Sequence, residues 1–356
     1  MNKEKGLQFL LSSKLAPLLK KEKVTDISYN GQEIFFVDNV RGRMRYDLET
    51  NEQEMRDFIR QIANICEKQF SYTSPELDVT IGKYRINATH QSIGKVKGDD
   101  RITFSIRIAS EKLRIIEDKH FLAEPIKELF DILLSSHQSI MIGGLPGSGK
   151  TELQKYLLSR VDVDQRVILV DNILELETVR DYVSYDLTTW QYNEGSSNTS
   201  LPKLIRSALR NNPDWLILAE GRGKEMLDIV LSAITGLPII STIHSVDAIS
   251  IPSRMARMAM MGEDRLDYRD LLHDIYYHFH YFVYLKKCRD NKGFYRRYIS
   301  SIVEIDNNGR PHELYSDNLD KRKYDLMSQS NLSRLSVGQD KYAFRKYFMG
   351  EDHEQL

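Results

Sequence analysis

The sequence predicts an α/β fold in which a parallel-sheet domain is preceded by a small α+β unit. Four short, continuous apolar runs, Ser139 to Ile142, Val167 to Val170, Trp215 to Ala219 and Ile239 to Ile243, alternate with helical segments. Strands buried on both faces of a parallel sheet read this way. The first hundred residues instead alternate short strands with one clear helix, and a glycine-rich turn after Ile142 opens directly into another helix.

Composition sets the outer limits. At 356 residues two domains are expected, and 41% hydrophobic with 28% charged residues is enough apolar material for a sizeable core. Lys+Arg at 50 against Asp+Glu at 51 gives a net charge of -1, so bulk charge supplies no attraction for nucleic acid or anionic lipid. Cys66 and Cys288 stand alone, which suggests neither a disulfide framework nor a cysteine zinc site, and a reducing compartment is expected. No apolar run approaches the roughly 20 residues of a membrane span. The run Leu7 to Leu11 is broken by Gln8 and lacks a small-residue cleavage site, so it predicts an amphipathic helix rather than a signal peptide.

Taken in order, Ile27 to Tyr29, Ile34 to Val37 and Met44 to Tyr46 form a strand meander divided by Asn30-Gly31 and Arg41-Gly42. Asn51 and Glu54 then make a capping box, and Met55, Phe58, Ile59, Ile62, Ile65 and Cys66 recur at helical spacing, giving a helix that ends near Phe70. Strands follow at Leu77 to Ile81, Tyr84 to Ala88 and Ile102 to Ile108, with a polar loop from Gly94 to Asp100. This N-terminal α+β domain is placed at 1–108, a charged linker at 109–122, the α/β domain at 123–316 and an extension at 317–356. In the α/β domain, helices are predicted around Pro125 to Ser136, Lys150 to Arg160, Leu201 to Arg210, Lys224 to Thr235 and Asp247 to Met260. Alternating residues from Phe279 through Ile305, with a turn at Asn307-Asn308-Gly309, predict antiparallel strands at the sheet edge, and the segment after Tyr315 reads as a loosely attached tail or helix.

The turn Gly144-Leu145-Pro146-Gly147-Ser148-Gly149-Lys150-Thr151, with Glu152 behind it, matches GxxxxGK[ST] between a strand and a helix. Glycines let backbone N–H groups converge on phosphate oxygens, and the helix N-terminus adds partial positive charge. Lys150 is placed to bridge the β- and γ-phosphates and Thr151 to ligate Mg2+, so ATP and Mg2+ are the expected cofactors. Acidic partners narrow the class. The strand Trp215 to Ala219 ends in Glu220, and the strand Val167 to Val170 ends in Asp171 with Glu175 beyond it. In a parallel sheet the carboxyl ends share one edge, so Lys150, Thr151, Asp171 and Glu220 are expected to converge there. His244, after Ile239 to Ile243, falls on the same edge as a γ-phosphate sensor or a structural histidine. No NKxD-type base reader of a GTPase is present.

The P-loop, the acids Asp171 to Glu175, Glu220 with Gly221-Arg222-Gly223, and Ser241-Thr242-Ile243-His244 together resemble the secretion ATPase superfamily of type II and type IV secretion, type IV pilus and tight-adherence pilus systems. The closest likeness is to the conjugation and tight-adherence branch. Leu204-Ile205-Arg206 through Pro213-Asp214 resembles the family's approach to its Walker B strand, and Val24 to Gly31, Gly82 to Ala88 and Ser105-Ile106-Arg107 resemble its N-terminal domain. The likeness implies a RecA-like P-loop ATPase domain in a hexameric motor, cytoplasmic and associated with the membrane through an inner-membrane platform or other secretion-machine proteins. It also implies that ATP hydrolysis powers secretion, conjugative transfer or pilus assembly. Glu220 resembles the catalytic glutamate, Asp171 and Glu175 the aspartate-box acids and His244 the second histidine of the histidine box. Arg222 joins them as a candidate site residue. Arg85 and Arg107 resemble N-domain arginines that close over the γ-phosphate.

Two departures stand out: Asp171-Asn172 replaces the family's Glu-Asp, and Leu237 replaces the first histidine. A RecA-like nucleic-acid translocase and an ATP-gated structural ring with weak hydrolysis are the competing readings; direct nucleic-acid binding is not expected.

Overall fold

The computed structural model describes residues 3–110, 112, 113, 115, 121–192, 200–263, 265–306, 308–319 and 321–351. The chain divides into two compact units, one of Met1–Glu111 with Arg289–Arg296, the other of Lys112–Cys288 with Arg297–Leu356. A hairpin tip far down the chain therefore groups with the N-terminal unit, where the amide of Tyr295 donates to the carbonyl of Val40 at 2.7 Å. No linear boundary read from the sequence could include it.

The first unit runs α1 (Lys3–Ser12), α2 (Ala16–Leu19), β1 (Val24–Tyr29), β2 (Ile34–Asp38), β3 (Gly42–Tyr46), α3 (Glu52–Ile65), β4 (Glu76–Ile81), β5 (Tyr84–Thr89), β6 (Lys95–Val96), β7 (Asp99–Asp100) and β8 (Thr103–Ile108). Six strands form an antiparallel sheet in the order β3-β2-β1-β8-β5-β4, while β6 and β7 make a separate small hairpin in the expected polar loop. Asn51 caps α3, its side-chain oxygen accepting the Glu54 N–H at 2.9 Å, as the sequence indicates. The Glu54 carboxylate turns instead to Lys14 and Thr50. The helix stops at Ile65 rather than near Phe70, because Glu67 takes φ +54° and the Lys68 N–H closes back on the Ala63 carbonyl. Leu10, Ile27, Ile59, Ile62, Ile86 and Ile106, all fully buried, fill the core between sheet and helices.

The second unit runs α4 (Glu124–Ser135), β9 (Ile140–Gly144), α5 (Lys150–Leu158), β10 (Arg166–Asp171), β11 (Asp186–Gln191), α6 (Leu201–Leu209), β12 (Trp215–Leu218), α7 (Met226–Ile234), β13 (Ile239–Ile243), α8 (Ile251–Met260) and α9 (Tyr268–His278). It continues with β14 (Tyr281–Arg289), β15 (Tyr295–Ile305), β16 (Pro311–Asp317), β17 (Arg322–Tyr324), α10 (Gln329–Leu332) and α11 (Tyr342–Phe344). Nine strands lie in the order β11-β10-β12-β13-β9-β14-β15-β16-β17. The continuous apolar runs are two interleaved sets. Ile140, Ile142, Val167, Leu169 and Ile217 face α4 and α5, whereas Met141, Ile168, Val170, Leu216 and Leu218 face α6 to α9. Helices thus cover both faces of the sheet, as the buried strands require.

Three expectations are corrected. β14 is parallel to β9, with Leu285 opposite Gly144, so it lies inside the sheet; antiparallel pairing is seen from β15 to β17. Of the predicted turn, Asn307 lies outside the described residues, as do 111, 114 and 116–120 of the expected linker. Ile115, Phe121 and Leu122, also from that linker, are buried in the second unit's core. The segment after Tyr315 is no loose tail, since Phe344 and Phe348, one helical turn apart, are fully buried against the α4 side of the sheet. β11 and α9 lie outside the predicted elements.

Candidate functional site

The phosphate-type loop begins where β9 leaves the sheet. Gly144 takes φ +156°, Gly147 +73° and Gly149 +102°, and a Cβ on Gly144 would collide with Ser148 Oγ and stand 2.9 Å from the Leu285 carbonyl. Glycine is therefore required where the chain turns. Leu145, Pro146 and Gly147 are exposed, while Ser148 is buried with an Oγ that has no hydrogen-bond partner among the described residues. Lys150, Thr151 and Glu152 form the first turn of α5; Glu152 Oε1 lies 3.7 Å from Nζ of the fully buried Lys155.

Lys150 is nine-tenths buried. Its Nζ donates to the carbonyls of Gly144 at 2.8 Å and Leu145 at 3.3 Å, and stands 3.2 Å from His244 Nδ1. The same nitrogen lies 3.3 Å from the Gly144 carbonyl, so it accepts from Lys150 in one tautomer and donates to that carbonyl in the other. His244 Nε2 lies 3.1 Å from Glu220 Oε1, without the alignment of a hydrogen bond. The other oxygen, Oε2, accepts from Arg222 Nε at 2.9 Å and Nη2 at 2.6 Å. Lys150, His244, Glu220 and Arg222 thus form one chain of contacts across the carboxyl ends of β9, β13 and β12. Thr242 Oγ1 donates to the Ala219 carbonyl at 2.7 Å and the Gly221 N–H to the Thr242 carbonyl at 2.8 Å, which fixes the ends of β12 and β13 against each other.

Asp171 lies at the same sheet edge but faces inward. It is fully buried, and its two oxygens accept the backbone N–H groups of Ile173 and Leu176, each at 3.1 Å. Burial pushes its carboxyl above the usual carboxylate range, against the pull of those two amides. This carboxylate closes the loop 172–176, in which Leu174 takes φ +57°; Glu175 is half-buried just before the following 3-10 turn.

Arg85 and Arg107 belong to the first unit. They are directly opposite on β5 and β8, Arg85 holding Asp78 through Nε at 3.2 Å and Nη2 at 2.8 Å, and Arg107 being exposed.

Three side chains beside the loop were not singled out from the sequence. Gln154, one turn after Lys150, is fully buried, and its Nε2 donates to the carbonyls of Leu218 at 2.8 Å and Ile240 at 3.3 Å, tying α5 to β12 and β13. Arg297 Nε donates to the Gly147 carbonyl at 2.8 Å, and Lys287 Nζ lies 3.7 Å from where a Gly147 Cβ would stand. A glutamine in a helix and two basic residues on late strands carry no motif that would mark them.

Residues 97–269 match the family model for type II/IV secretion system proteins. Over those residues the chain is similar to that family. An uncharacterized protein of Bacillus anthracis is 31% identical over 294 residues, 79% of this chain and 65% of that protein, so the chain spans less than two thirds of that relative. A putative conjugal transfer protein of Mycobacterium tuberculosis is 23% identical over 257 residues, 70% of this chain and 73% of the relative. Among solved structures, the Legionella pneumophila ATPase DotB superposes with TM-score 0.60 at 18% identity, covering 82% of this chain and 79% of DotB, which bears on the fold. Among the described residues, no helix is long and apolar enough to cross a membrane.

Proposed function

We propose that the chain is an ATP-hydrolysing motor of a secretion, conjugative-transfer or pilus-assembly machine. The observation that carries this reading is the chain of contacts that runs from the glycine loop through Lys150, His244 and Glu220 to Arg222. The loop suits a nucleotide. Its glycines leave backbone N–H groups uncovered, Ser148 Oγ has no protein partner among the described residues, and the ammonium of Lys150 rests on carbonyls that a polyphosphate would outcompete. Thr151 would hold Mg2+, which when bound supplies charge shielding for the phosphates.

The four side chains divide the work. Lys150 turns from the Gly144 and Leu145 carbonyls to the β- and γ-phosphates. Glu220 Oε1, buried and without a hydrogen-bond partner among the described residues, takes the proton of the attacking water, while Arg222 holds Oε2 and so orients the carboxylate. His244, touching both Lys150 and Glu220, reports phosphate occupancy to the base. Asp171 and Glu175 shape the neighbouring loop, and Arg85 and Arg107 meet the γ-phosphate when the first unit closes. The working assembly is a homo-oligomeric ring of six in the cytoplasm, engaging a membrane platform through its partners.

Glu220→Gln tests the base. The variant keeps shape and loses charge, so it should retain ATP while turnover falls by about two orders of magnitude or more. A variant that hydrolyses normally would move the base to Asp171 or Glu175.

A further inference from the structure

Among the described residues, Lys150 and Arg297 both donate to backbone carbonyls of the glycine loop. Lys150 bonds the carbonyls of Gly144 and Leu145 through the ammonium that the proposed function assigns to phosphate. Within the loop, the Ser148 N–H reaches the Leu145 carbonyl at 3.2 Å. Arg297 is different. It comes from β15, 150 positions away in sequence, and its Nε–H meets the Gly147 carbonyl at 2.8 Å while its Cδ lies 3.6 Å from the Cβ position of Gly149. Nothing in that bond involves Lys150.

Resting on the nucleotide reading above, we infer that Arg297 is a positioning residue: its Nε–H latches the Gly147 peptide and so holds the loop's backbone ready for the phosphates that ATP and ADP share. A glycine-rich segment loses more backbone entropy on ordering than any other, so fixing one peptide at φ +73° before the ligand arrives lowers the cost of binding. The latch acts on the loop, not on the γ-phosphate. Its loss should therefore weaken both nucleotides equally, unlike the loss of a γ-phosphate contact.

Two substitutions separate the N–H from the charge. Arg297→Gln places an amide N–H at the chain position of Arg Nε and removes the charge; Arg297→Lys keeps the charge and puts a methylene there. Equilibrium binding of ADP and of a non-hydrolysable ATP analogue to the full chain, with the turnover number at saturating ATP, is the measurement. Arg297→Lys should weaken both ligands about tenfold, the scale of losing one charge-assisted hydrogen bond, with little change in saturated turnover. Arg297→Gln should bind within about threefold of the parent. The inference is overturned if Arg297→Lys binds like the parent, if Arg297→Gln is the weaker of the two, or if the analogue alone is affected. Both variants are compared at equal thermal stability; a fall in melting temperature with unchanged affinity would make Arg297 merely structural. Lys150→Ala is the control: if it binds nucleotide normally the nucleotide reading fails, whereas loss in Lys150→Ala with normal Arg297→Lys defeats the latch alone.

Discussion

Asp171 and Glu220 are both carboxylates that follow apolar runs, and their oxygens are hydrogen-bonded differently. Both Asp171 oxygens are taken by backbone amides of a tight loop, whereas Glu220 keeps one oxygen uncommitted beside His244. Asp171→Asn retains one acceptor and turns an NH2 group toward the other amide. It should cost about 1–3 kcal/mol, the price of one unsatisfied buried polar group, read as a melting temperature lowered by several degrees. Unchanged melting with abolished turnover would instead give Asp171 a direct part in the chemistry. The sequence located these acids because strand ends share an edge; it could not show where each oxygen points. Gln154 and Arg297 were illegible for a related reason, since each acts through a carbonyl far away in the chain and no local spacing records that.

At the scale of elements, the strands were legible wherever apolar runs were continuous, and their helices followed. β14 was misread because its alternation suggests a half-exposed hairpin strand, while its pairing is decided by β9, well over a hundred residues earlier. The C-terminal segment was misread because its polar composition hides how it is fastened. Glu304 of β15 is fully buried; its Oε1 accepts the Ser328 N–H at 2.7 Å and meets His312 Nδ1 at 3.1 Å, and its Oε2 accepts from Asn331 at 2.8 Å. His312 Nε2 reaches Asp325 at 3.3 Å. Partial burial lowers the His312 imidazole, but hydrogen bonds and charge attraction from Glu304 and Asp325 outweigh it and leave the pKa raised. A histidine raised on folding stabilises fully below its unfolded value near pH 6.5, and that contribution is lost as pH climbs through the folded value. The melting-temperature advantage of the parent over His312→Gln should therefore shrink between pH 6 and pH 9. A difference independent of pH would remove the ion pair from the account.

For the whole molecule, the change in texture near residue 109 lies close to where the chain divides into its two units; the return of Arg289–Arg296 to the first unit is not legible, because only tertiary contact reveals it. Closure of the first unit on the nucleotide remains our proposal, supported by a pair of arginines placed opposite each other on adjacent strands. Arg85→Ala and Arg107→Ala should each weaken ATP binding or slow turnover about tenfold while ADP affinity stays nearly intact, since a charge-assisted phosphate contact contributes roughly 1.5–3 kcal/mol. Equal weakening of both nucleotides, or of neither, would end the γ-phosphate role. The comparison belongs on the assembled chain: light scattering with ATP and Mg2+ should report a ring, and a monomer under every nucleotide condition would count against a motor.

If the glycine loop and Lys150 bind a nucleotide for hydrolysis, the purified full chain releases phosphate from Mg2+-ATP. The parent should release phosphate steadily, and Lys150→Ala, folded to the same melting temperature, should release none above background, because the ammonium shielding the β- and γ-phosphates is gone. Equal phosphate release by the parent and Lys150→Ala would contradict the account.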